Sequence, residues 1–357
     1  MAVALGGCVV PAACATEEWV LSHETCGGLF LIPLTWTAEF GRTHDLVAVF
    51  DTGGTSLLID PDALERASGK RVREGTRVRM PGVSAGPARF TNFRPHVRSL
   101  DPLSRALGRK IDVFLPFRTF RDFLLTLDYS TGELRVSPAQ LPRPDGVEVF
   151  SARGDDRRPW LQISIAGRRR SILIDSGSNG SLSIEKSEGL RWVGPLLPLR
   201  LTQQMKRLEL EEVGRLDETI RVGGLVLRQP IVSLTSGTET IGSQVLRYFV
   251  VSFDQGNRRM RLHPVVSEPV RLPAFRGSGA VLKPLPNALE VFRVLSGTPA
   301  DKVGVQVGDR VTKIDGRPVY GRGCRPDVVP RVDVERWTIV RSGETFDLMV
   351  PFVDLVP

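Results

Sequence analysis

A repeated segment limits how this chain of 357 residues can fold. Residues 47–55 read VAVFDTGGT and residues 171–179 read SILIDSGSN, so each is an apolar stretch that runs into Asp-Thr-Gly or Asp-Ser-Gly. The apolar stretches are typical of buried strands, and the polar triplets are turn formers. A segment of this kind at two places in one chain indicates duplication of a β-rich unit.

A second pair of segments supports the duplication. Residues 123–128 read FLLTLD and residues 249–254 read FVVSFD, and each is followed by a polar turn and a further strand. The members of both pairs are separated by about 120 residues, which is the expected size of one unit. We therefore predict two β lobes, residues 27–139 and residues 155–264, joined by a linker at residues 140–154 that is rich in proline and glycine.

The sequence changes character after the second lobe. Residues 289–295 (LEVFRVL) predict a strand, and residues 297–300 (GTPA) predict a turn and a helix that begins with proline. Residues 304–316 predict a tight turn, another strand and an Asp-Gly hairpin. Residues 277–357 therefore predict a small α+β domain of about 80 residues.

Composition and charge exclude several classes of protein. The hydrophobic fraction of 41% and the charged fraction of 25% are typical of a globular chain. The net charge is +8, but the basic residues are scattered and do not alternate with aromatic residues, so no nucleic-acid partner is expected. The four cysteines lack CxxC spacing and the four histidines do not cluster with them, so neither a metal site nor a cofactor is expected.

The first 26 residues resemble a leader segment. Residues 1–15 read MAVALGGCVVPAACA, in which ACA resembles a signal peptidase site and LGGC resembles the lipobox of a lipoprotein. The positively charged stretch that opens most export signals does not precede them. We expect residues 1–26 to be a signal or lipoprotein remnant and leader, which predicts a location in the cell envelope, the periplasm or outside the cell. If the segment is not a signal, the prediction is a cytoplasmic protein.

Asp51 and Asp175 are the candidate catalytic residues. They occupy equivalent places in the repeat, so a pseudo-twofold packing of the two lobes would bring their carboxyl groups together. Two carboxyl groups a few Å apart share one proton, so one can act as an acid and the other as a base at the same pH. Such a pair can activate a water molecule against a peptide carbonyl. Glycines would allow close approach and hydroxyl groups could tie the loops together; these supporting residues are Thr52, Gly53, Ser176 and Gly177.

The two Asp-Thr-Gly and Asp-Ser-Gly loops resemble those of the aspartic proteases. With the C-terminal domain included, the chain resembles bacterial retropepsin-like proteases that carry a PDZ domain. The resemblance implies a mainly β fold with two retropepsin-like closed β-barrel lobes in one chain, plus a small α+β PDZ-like domain. It also implies an aspartic-type peptidase, a hydrolase that acts on polypeptide substrates, with its dyad completed within one chain and therefore as a monomer.

The family has a second motif behind each Asp loop, in which two apolar residues precede a glycine. Residues 240–243 (TIGS) resemble this motif in the second lobe. In the first lobe the aligned stretch, residues 111–117 (IDVFLPF), has Leu115 or Pro116 where the family has glycine. The family also has a flap hairpin over the cleft, for which the second lobe offers no glycine-rich tip. The candidate positions for a flap tip in the first lobe are Gly75 and residues 81–86.

The C-terminal domain resembles a bacterial PDZ domain, chiefly through the framework residues 297–300 and 304–316. In that family a peptide with a free carboxyl terminus adds as an extra strand beside the sheet. The implied partner is therefore a peptide or the C-terminus of a protein. The helix that forms the other wall of the groove would lie between residues 319 and 337, where proline and glycine disfavour a helix. The implied peptide-binding residues are Gly279, Ala280 and Val281.

Two alternatives to an active protease stay open on the sequence. The first is a non-catalytic peptide-binding scaffold built on protease-like lobes, which the missing glycine at Leu115 and Pro116 favours. The second is a latent enzyme that acts only after processing or after a partner binds. The separation of the two carboxyl groups discriminates between an enzyme and a scaffold, because only neighbouring groups share a proton.

Overall fold

The computed structural model shows a mainly β protein, and this confirms the predicted class. The structure describes residues 18–21, 23–37, 42–152, 158–186, 188–203, 208–319 and 333–357. Two predictions fall on residues outside these ranges. They are the signal-like segment, of which residues 1–17 are not described, and most of the stretch predicted to disfavour the groove helix, residues 320–332. The closed-barrel form of the lobes and the domain boundaries stay predictions.

The described residues up to Ala152 form twelve strands and two α-helices, apart from a single 3-10 turn at Phe117–Phe120. In chain order they are β1 (Trp19–Leu21), β2 (Glu24–Cys26), β3 (Leu29–Thr37), β4 (Thr43–Asp51), β5 (Leu58–Ile59), α1 (Pro61–Ser68), β6 (Val83–Ala85), β7 (Ala88–Phe90), β8 (His96–Val97), α2 (Asp101–Leu107), β9 (Val113–Pro116), β10 (Leu124–Asp128), β11 (Glu133–Ser137) and β12 (Val149–Ser151). We call β2–β9 with α1 and α2 the first unit. Its strands form one sheet in the order β7-β6-β3-β4-β9-β5-β8, with β2 paired to β3.

The second unit consists of β13–β21 and α3. In chain order its elements are β13 (Trp160–Ile165), β14 (Arg168–Ile174), β15 (Leu182–Ile184), β16 (Leu197–Gln203), β17 (Leu208–Arg215), β18 (Thr219–Val222), β19 (Leu225–Arg228), β20 (Ile231–Leu234), β21 (Thr240–Ile241) and α3 (Ser243–Leu246). Its main sheet has the order β13-β14-β21-β15-β20-β17-β16, and β18 pairs with β19 separately.

The repeat in the sequence corresponds to a repeat in sheet topology. The order β3-β4-β9-β5-β8 in the first unit matches β13-β14-β21-β15-β20 in the second. Successive pairs are antiparallel, parallel, antiparallel and parallel in both units. The strand before each Asp loop, β4 or β14, therefore lies inside its sheet with a neighbour on each side. Its apolar residues are covered on both faces, and Phe50 and Ile174 are buried directly before the aspartates.

A third sheet joins the two units. With the two remaining strands, β22 (Phe249–Asp254) and β23 (Arg259–Pro264), it has the order β1-β11-β10-β22-β23-β12. The central pair, β10 and β22, comes from the second repeated segment of each unit, and the hydroxyl groups of Thr126 and Ser252 are 2.9 Å apart across it. This pairing relates the units by an approximate twofold arrangement. Strand β1 comes from the predicted leader and strand β12 comes from the predicted linker, so both segments contribute to this sheet.

The C-terminal domain follows β23. Its elements are β24 (Phe275–Gly277), β25 (Ala280–Pro284), β26 (Leu289–Val294), α4 (Pro299–Lys302), β27 (Arg310–Ile314), β28 (Arg317–Pro318), β29 (Val334–Arg341), β30 (Glu344–Pro351) and β31 (Val353–Val356). The main sheet has the order β25-β26-β27-β29-β30, and its own apolar core is centred on Trp337, Val291 and Ile339. The helix predicted to begin with proline is α4, which starts at Pro299.

Strand packing and a buried arginine attach the C-terminal domain to the second unit. Strand β25, at the edge of its sheet, packs against β16. Arg215, at the end of β17, is almost fully buried and donates hydrogen bonds to the carbonyl oxygens of Gln229, Leu272 and Pro357. A buried guanidinium needs several acceptors to replace its hydration, and these three carbonyls supply them. The end of the chain is thereby held against the second unit. None of the described helices has the length and apolar character needed to cross a membrane.

Candidate functional site

The two predicted catalytic residues meet where the units face each other. Asp51 is the last residue of β4, and Asp175 follows β14 directly. Both side chains are partly exposed to solvent, so the site is open rather than sealed inside the protein. The two carboxyl groups lie close enough to influence each other's acidity, and each is in contact with the glycine of the opposite loop. The sequence-predicted residues are thus brought together in the geometry that the repeat suggested.

The loops are tied to each other by reciprocal hydrogen bonds. Thr52 Oγ1 donates to the carbonyl oxygen of Ile174 (2.7 Å) and accepts from the backbone N–H of Ser176 (2.8 Å). In the opposite direction, Ser176 Oγ accepts from the backbone N–H of Thr52 (3.0 Å). Thr52 and Ser176 are fully buried. The Thr52 hydroxyl both donates and accepts, and the Ser176 hydroxyl accepts, so three buried hydrogen bonds fix the relative position of the two loops.

Glycine is required beside each carboxyl group because the loops touch. The N–H of Gly53 donates to Asp51 Oδ1 (2.7 Å), and the N–H of Gly177 donates to Asp175 Oδ1 (2.9 Å). Across the interface, a Cβ added at Gly53 would lie 2.8 Å from Asp175 Oδ1. A Cβ added at Gly177 would lie 2.5 Å from Asp51 Oδ1. Any side chain at either position would therefore push the carboxyl groups apart.

Burial and mutual repulsion shift the acidity of the pair. Burial, the charge of Asp175 and the hydrogen bond with Asp175 hold the pKa of Asp51 well above its usual value. Burial also raises the pKa of Asp175, but the hydrogen bond from Asp51, the N–H of Gly177 and the charge of Arg158 oppose this rise. Both carboxyl groups therefore keep a proton to higher pH than a free carboxyl group does, and at Asp175 this rise is opposed by the positive charge of Arg158.

Three further side chains contribute to the electrostatics of the site. Arg158 Nη1 donates to the carbonyl oxygen of Gly53 (3.1 Å), and its guanidinium lies 5.1 Å from the ring centre of Trp160. Arg200, on β16, donates to Asn179 Oδ1 (2.6 Å) in the loop that follows Asp175. The charge of Arg158 lowers the pKa of Asp175 although its hydrogen bond is to the Asp51 loop, and Arg200 also lies close enough to Asp175 for their charges to interact.

Tyr129 is the third group, at the end of β10. Its hydroxyl is buried and has no hydrogen-bond partner among the described residues, and its ring packs edge-on against Phe30 with the ring centres 5.0 Å apart. Burial and the charges of Asp175 and Asp51 raise the pKa of the Tyr129 hydroxyl, so it stays neutral. The sequence reasoning did not find Tyr129, Arg158 or Arg200. Each is a single residue outside any motif, and no local signal predicts that the tertiary fold brings it near the dyad.

The backbone behind the two loops differs between the units. In the second unit the N–H of Asp175 donates to the carbonyl oxygen of Ile241 (2.9 Å). Gly242, which follows Ile241, contacts the Asp175 loop so closely that an added Cβ would lie 2.7 Å from the carbonyl oxygen of Ser178. In the first unit Pro116 occupies the position opposite Asp51. The glycine missing from the first unit is thus replaced by a proline that has no N–H to donate, while the β4–β9 pairing is kept.

The hairpins of the two units also differ from each other. In the first unit the chain turns at Gly75, where the N–H of Thr76 donates to Arg73 (3.2 Å), and then runs beside residues 93–97. In the second unit β16 and β17 form a longer hairpin that carries Arg200. The sequence shows no glycine-rich turn between β16 and β17, so this hairpin was not predicted from the sequence. Its register is set by the pairing of the two strands and not by a turn motif.

The predicted peptide-binding residues of the C-terminal domain lie at the start of β25. Gly279 has φ of +89°, which is unfavourable for other residues, and its carbonyl accepts from the N–H of Leu295 (2.9 Å). A Cβ at Gly279 would collide with the side chain of Thr298. Ala280 begins the edge strand, and Val281 is buried. Among the described residues, no group of three or more His, Cys, Asp or Glu side chains is arranged to hold a metal ion.

Comparison with known proteins bears on the C-terminal domain. Residues 290–323 match the PDZ domain family. The match includes β26, α4, β27 and β28, and it shows that this part of the chain is a PDZ domain. No curated protein matches the sequence. The resemblance of the two units to aspartic proteases stays a prediction.

The buried Thr52 hydroxyl should contribute strongly to stability. In Thr52→Val the carbonyl of Ile174 and the N–H of Ser176 lose their partner, and we expect the free energy of unfolding to fall by about 2–4 kcal/mol. Thr52→Ser keeps the hydroxyl and should lose about 1 kcal/mol or less, from one methyl group. Urea unfolding of the three proteins measures the difference. Equal stabilities for the Val and Ser variants would show that the hydrogen bonds are not important.

The raised pKa of Asp51 makes a prediction about pH and stability. Because the folded protein binds this proton more tightly than the unfolded chain does, the stabilisation from Asp51 is complete below pH 4 and is lost as the pH rises through the folded pKa. Asn does not titrate, so the Asp51→Asn variant lacks this pH-dependent change in stability. Between pH 4 and pH 7 the free energy of unfolding of the variant should therefore fall less than that of the wild type. Urea unfolding at both pH values provides the measurement, with the exposed Asp122→Asn as the control. An identical pH dependence in wild type and Asp51→Asn would contradict it.

Proposed function

We propose that the protein is an aspartic endopeptidase whose PDZ domain docks a substrate or a partner peptide. The observation that carries the proposal is the pair of Asp loops, which are tied through Thr52 and Ser176 and hold two neighbouring, half-buried carboxyl groups. The repeated strand order of the two units supports the resemblance to single-chain retropepsin-like proteases.

The proposed reaction uses a water molecule held between the two carboxyl groups. Asp175, which the nearby Arg158 favours in the ionised form, takes a proton from the water as it attacks the scissile carbonyl. Asp51, which keeps its proton because burial and Asp175 raise its pKa, donates a hydrogen bond to the carbonyl oxygen as negative charge develops there. The tetrahedral intermediate then breaks down with proton transfer to the leaving amine. The loop hydrogen bonds contribute by keeping both groups in position.

A peptide-binding scaffold without catalysis is the second candidate. The specific observation in its favour is Pro116, which occupies the position opposite Asp51 where the second unit has Gly242 opposite Asp175. A proline there removes one backbone donor behind the first loop. The hydrogen bonds to Thr52 and to Asp51 are nevertheless present in the first loop, and for this reason we favour the enzyme.

Substitution of either aspartate tests the proposed catalysis. Asp51→Asn and Asp175→Asn each replace one of the two carboxyl groups with an amide that cannot act as an acid or a base. Each should therefore lower kcat by at least about a hundredfold, the typical contribution of a general acid or base. The substrate is a diverse peptide pool incubated over a pH series, with and without a pepstatin-type inhibitor, and cleavage is followed by mass spectrometry. Asp45→Asn, which changes an exposed carboxyl group on β4 of the first unit away from the Asp loops, is the control. Cleavage that survives in both dyad variants would refute the mechanism, and a wild type that binds peptides without cleaving any would favour the scaffold.

Gly279 tests the role of the PDZ domain. The φ of +89° and the contact with Thr298 leave no space for a side chain, so Gly279→Ala should distort the start of β25 and weaken binding of carboxyl-terminal peptides by about tenfold. Gly343 has a similar φ of +88° but no atom within 4 Å of an added Cβ, so Gly343→Ala is the matched control for backbone strain. Fluorescence polarisation of a library of labelled peptides, each with a free or an amidated carboxyl terminus, gives the affinities. Equal binding of free and amidated peptides would rule out recognition of the terminal carboxylate.

A further inference from the structure

An open cavity of about 250 Å³ lies in the first unit beside the Asp51 loop. Thr55 and Ser56, which follow Asp51 by four and five positions, form part of its lining and are exposed. Pro116, which pairs with Asp51 in the sheet, also lines it. The cavity is therefore connected to the candidate catalytic loop by two separate backbone segments.

The lining of this cavity is strongly basic. Five arginines from three parts of the first unit and its following turn contribute to it, and all five are exposed: Arg77, Arg89, Arg94, Arg118 and Arg121. Arg121 lies 3.5 Å from Asp122, which also lines the cavity. Within the described ranges, the other four arginines form no ion pair with a carboxylate. The cavity thus has a surplus of positive charge that no neighbouring acidic side chain balances.

We propose that this cavity, which we call the arginine pocket, is a substrate subsite that binds an acidic side chain of the polypeptide near the cleaved bond. The inference rests on the proposed peptidase function, because it names the class of substrate for that same site. It goes further by giving the first unit a specificity role that the dyad alone does not have.

The chemistry of the pocket suits a carboxylate. Guanidinium groups bind carboxylates through paired N–H donors, and several of them around one cavity can engage the two oxygens together. Phe90 and Phe123 form part of the wall and exclude some water, and this strengthens the attraction between opposite charges. Each exposed ion pair contributes little by itself, so the selectivity must come from the cluster and must weaken as salt is added.

The location of the arginine pocket beside the Asp51 loop favours an acidic side chain of a peptide over a free anion as its ligand. Thr55 and Ser56 continue the Asp51 loop into the pocket, so a peptide held at Asp51 that extends along this loop would reach the arginines. Asp122 at the pocket adds a negative charge that disfavours a multiply charged phosphate more than a single carboxylate.

Cleavage of matched peptides tests the subsite. Two fluorogenic peptide libraries are compared, identical except that one has Glu and the other Gln at the positions within four residues of the cleaved bond. We expect wild-type kcat/KM to be about tenfold higher for the Glu library at low ionic strength, with the ratio falling at high salt. The double variant Arg94→Glu/Arg118→Glu should lose or reverse this ratio. Arg221→Glu, an exposed arginine on β18 of the second unit, is the charge-matched control and should keep it.

A binding measurement separates failure of the subsite from failure of the peptidase. In full-length Asp175→Asn, a labelled Glu-rich peptide should bind about tenfold more tightly than its Gln analogue, and adding Arg94→Glu/Arg118→Glu should abolish the difference. If this holds while wild type cleaves nothing, the pocket binds acidic peptides but the peptidase proposal is wrong. Equal binding of the two peptides overturns the subsite, as does an unchanged preference in the double variant. Displacement of the Glu-rich peptide by an equal concentration of inorganic phosphate would also overturn it, because the pocket would then be a phosphate site.

Discussion

The rest of the site depends on the reciprocal hydrogen bonds between the two Asp loops. They join Thr52 to the backbone of Ile174 and to the backbone and side chain of Ser176. They join two loops from different units in a fully buried position, where water cannot compete. With these bonds in place, Gly53 and Gly177 lie against the opposite carboxyl groups, and the proximity of the two aspartates contributes to the raised pKa of Asp51. The unusual acidity of the pair is therefore a consequence of backbone architecture.

The two units share a strand order but differ in what surrounds it. The first unit has α1 and α2, a short turn at Gly75 and the arginine pocket. The second unit has the β16–β17 hairpin, from which Arg200 contacts the loop after Asp175. An approximately symmetric dyad thereby sits in an asymmetric electrostatic environment. Positive charge close to one carboxyl group favours its ionised form, so the surroundings distinguish the two aspartates although their loops are alike.

The PDZ domain is attached to the second unit rather than tethered loosely. Arg215 binds the last carbonyl of the chain, and the edge strand β25 packs against β16, the same strand that carries Arg200. PDZ domains add a peptide beside an edge strand, and the edge strand β25 of this domain lies next to the hairpin of the second unit. Burial of Arg215 among three carbonyl acceptors makes this arrangement costly to break.

The amino-acid sequence by itself determined the repeat, the two Asp loops with Thr52 and Ser176, the mainly β class and the PDZ domain. These features are local: an apolar strand, a turn triplet and a proline-initiated helix each carry their own signal along the chain. Only the tertiary structure decided that β1 and β12 enter the joining sheet, that β16 and β17 form a hairpin, and that Arg158, Arg200 and Tyr129 surround the dyad. Charges and strand partners act through space, and residues far apart in the chain show no pattern that reveals their contact until the units pack.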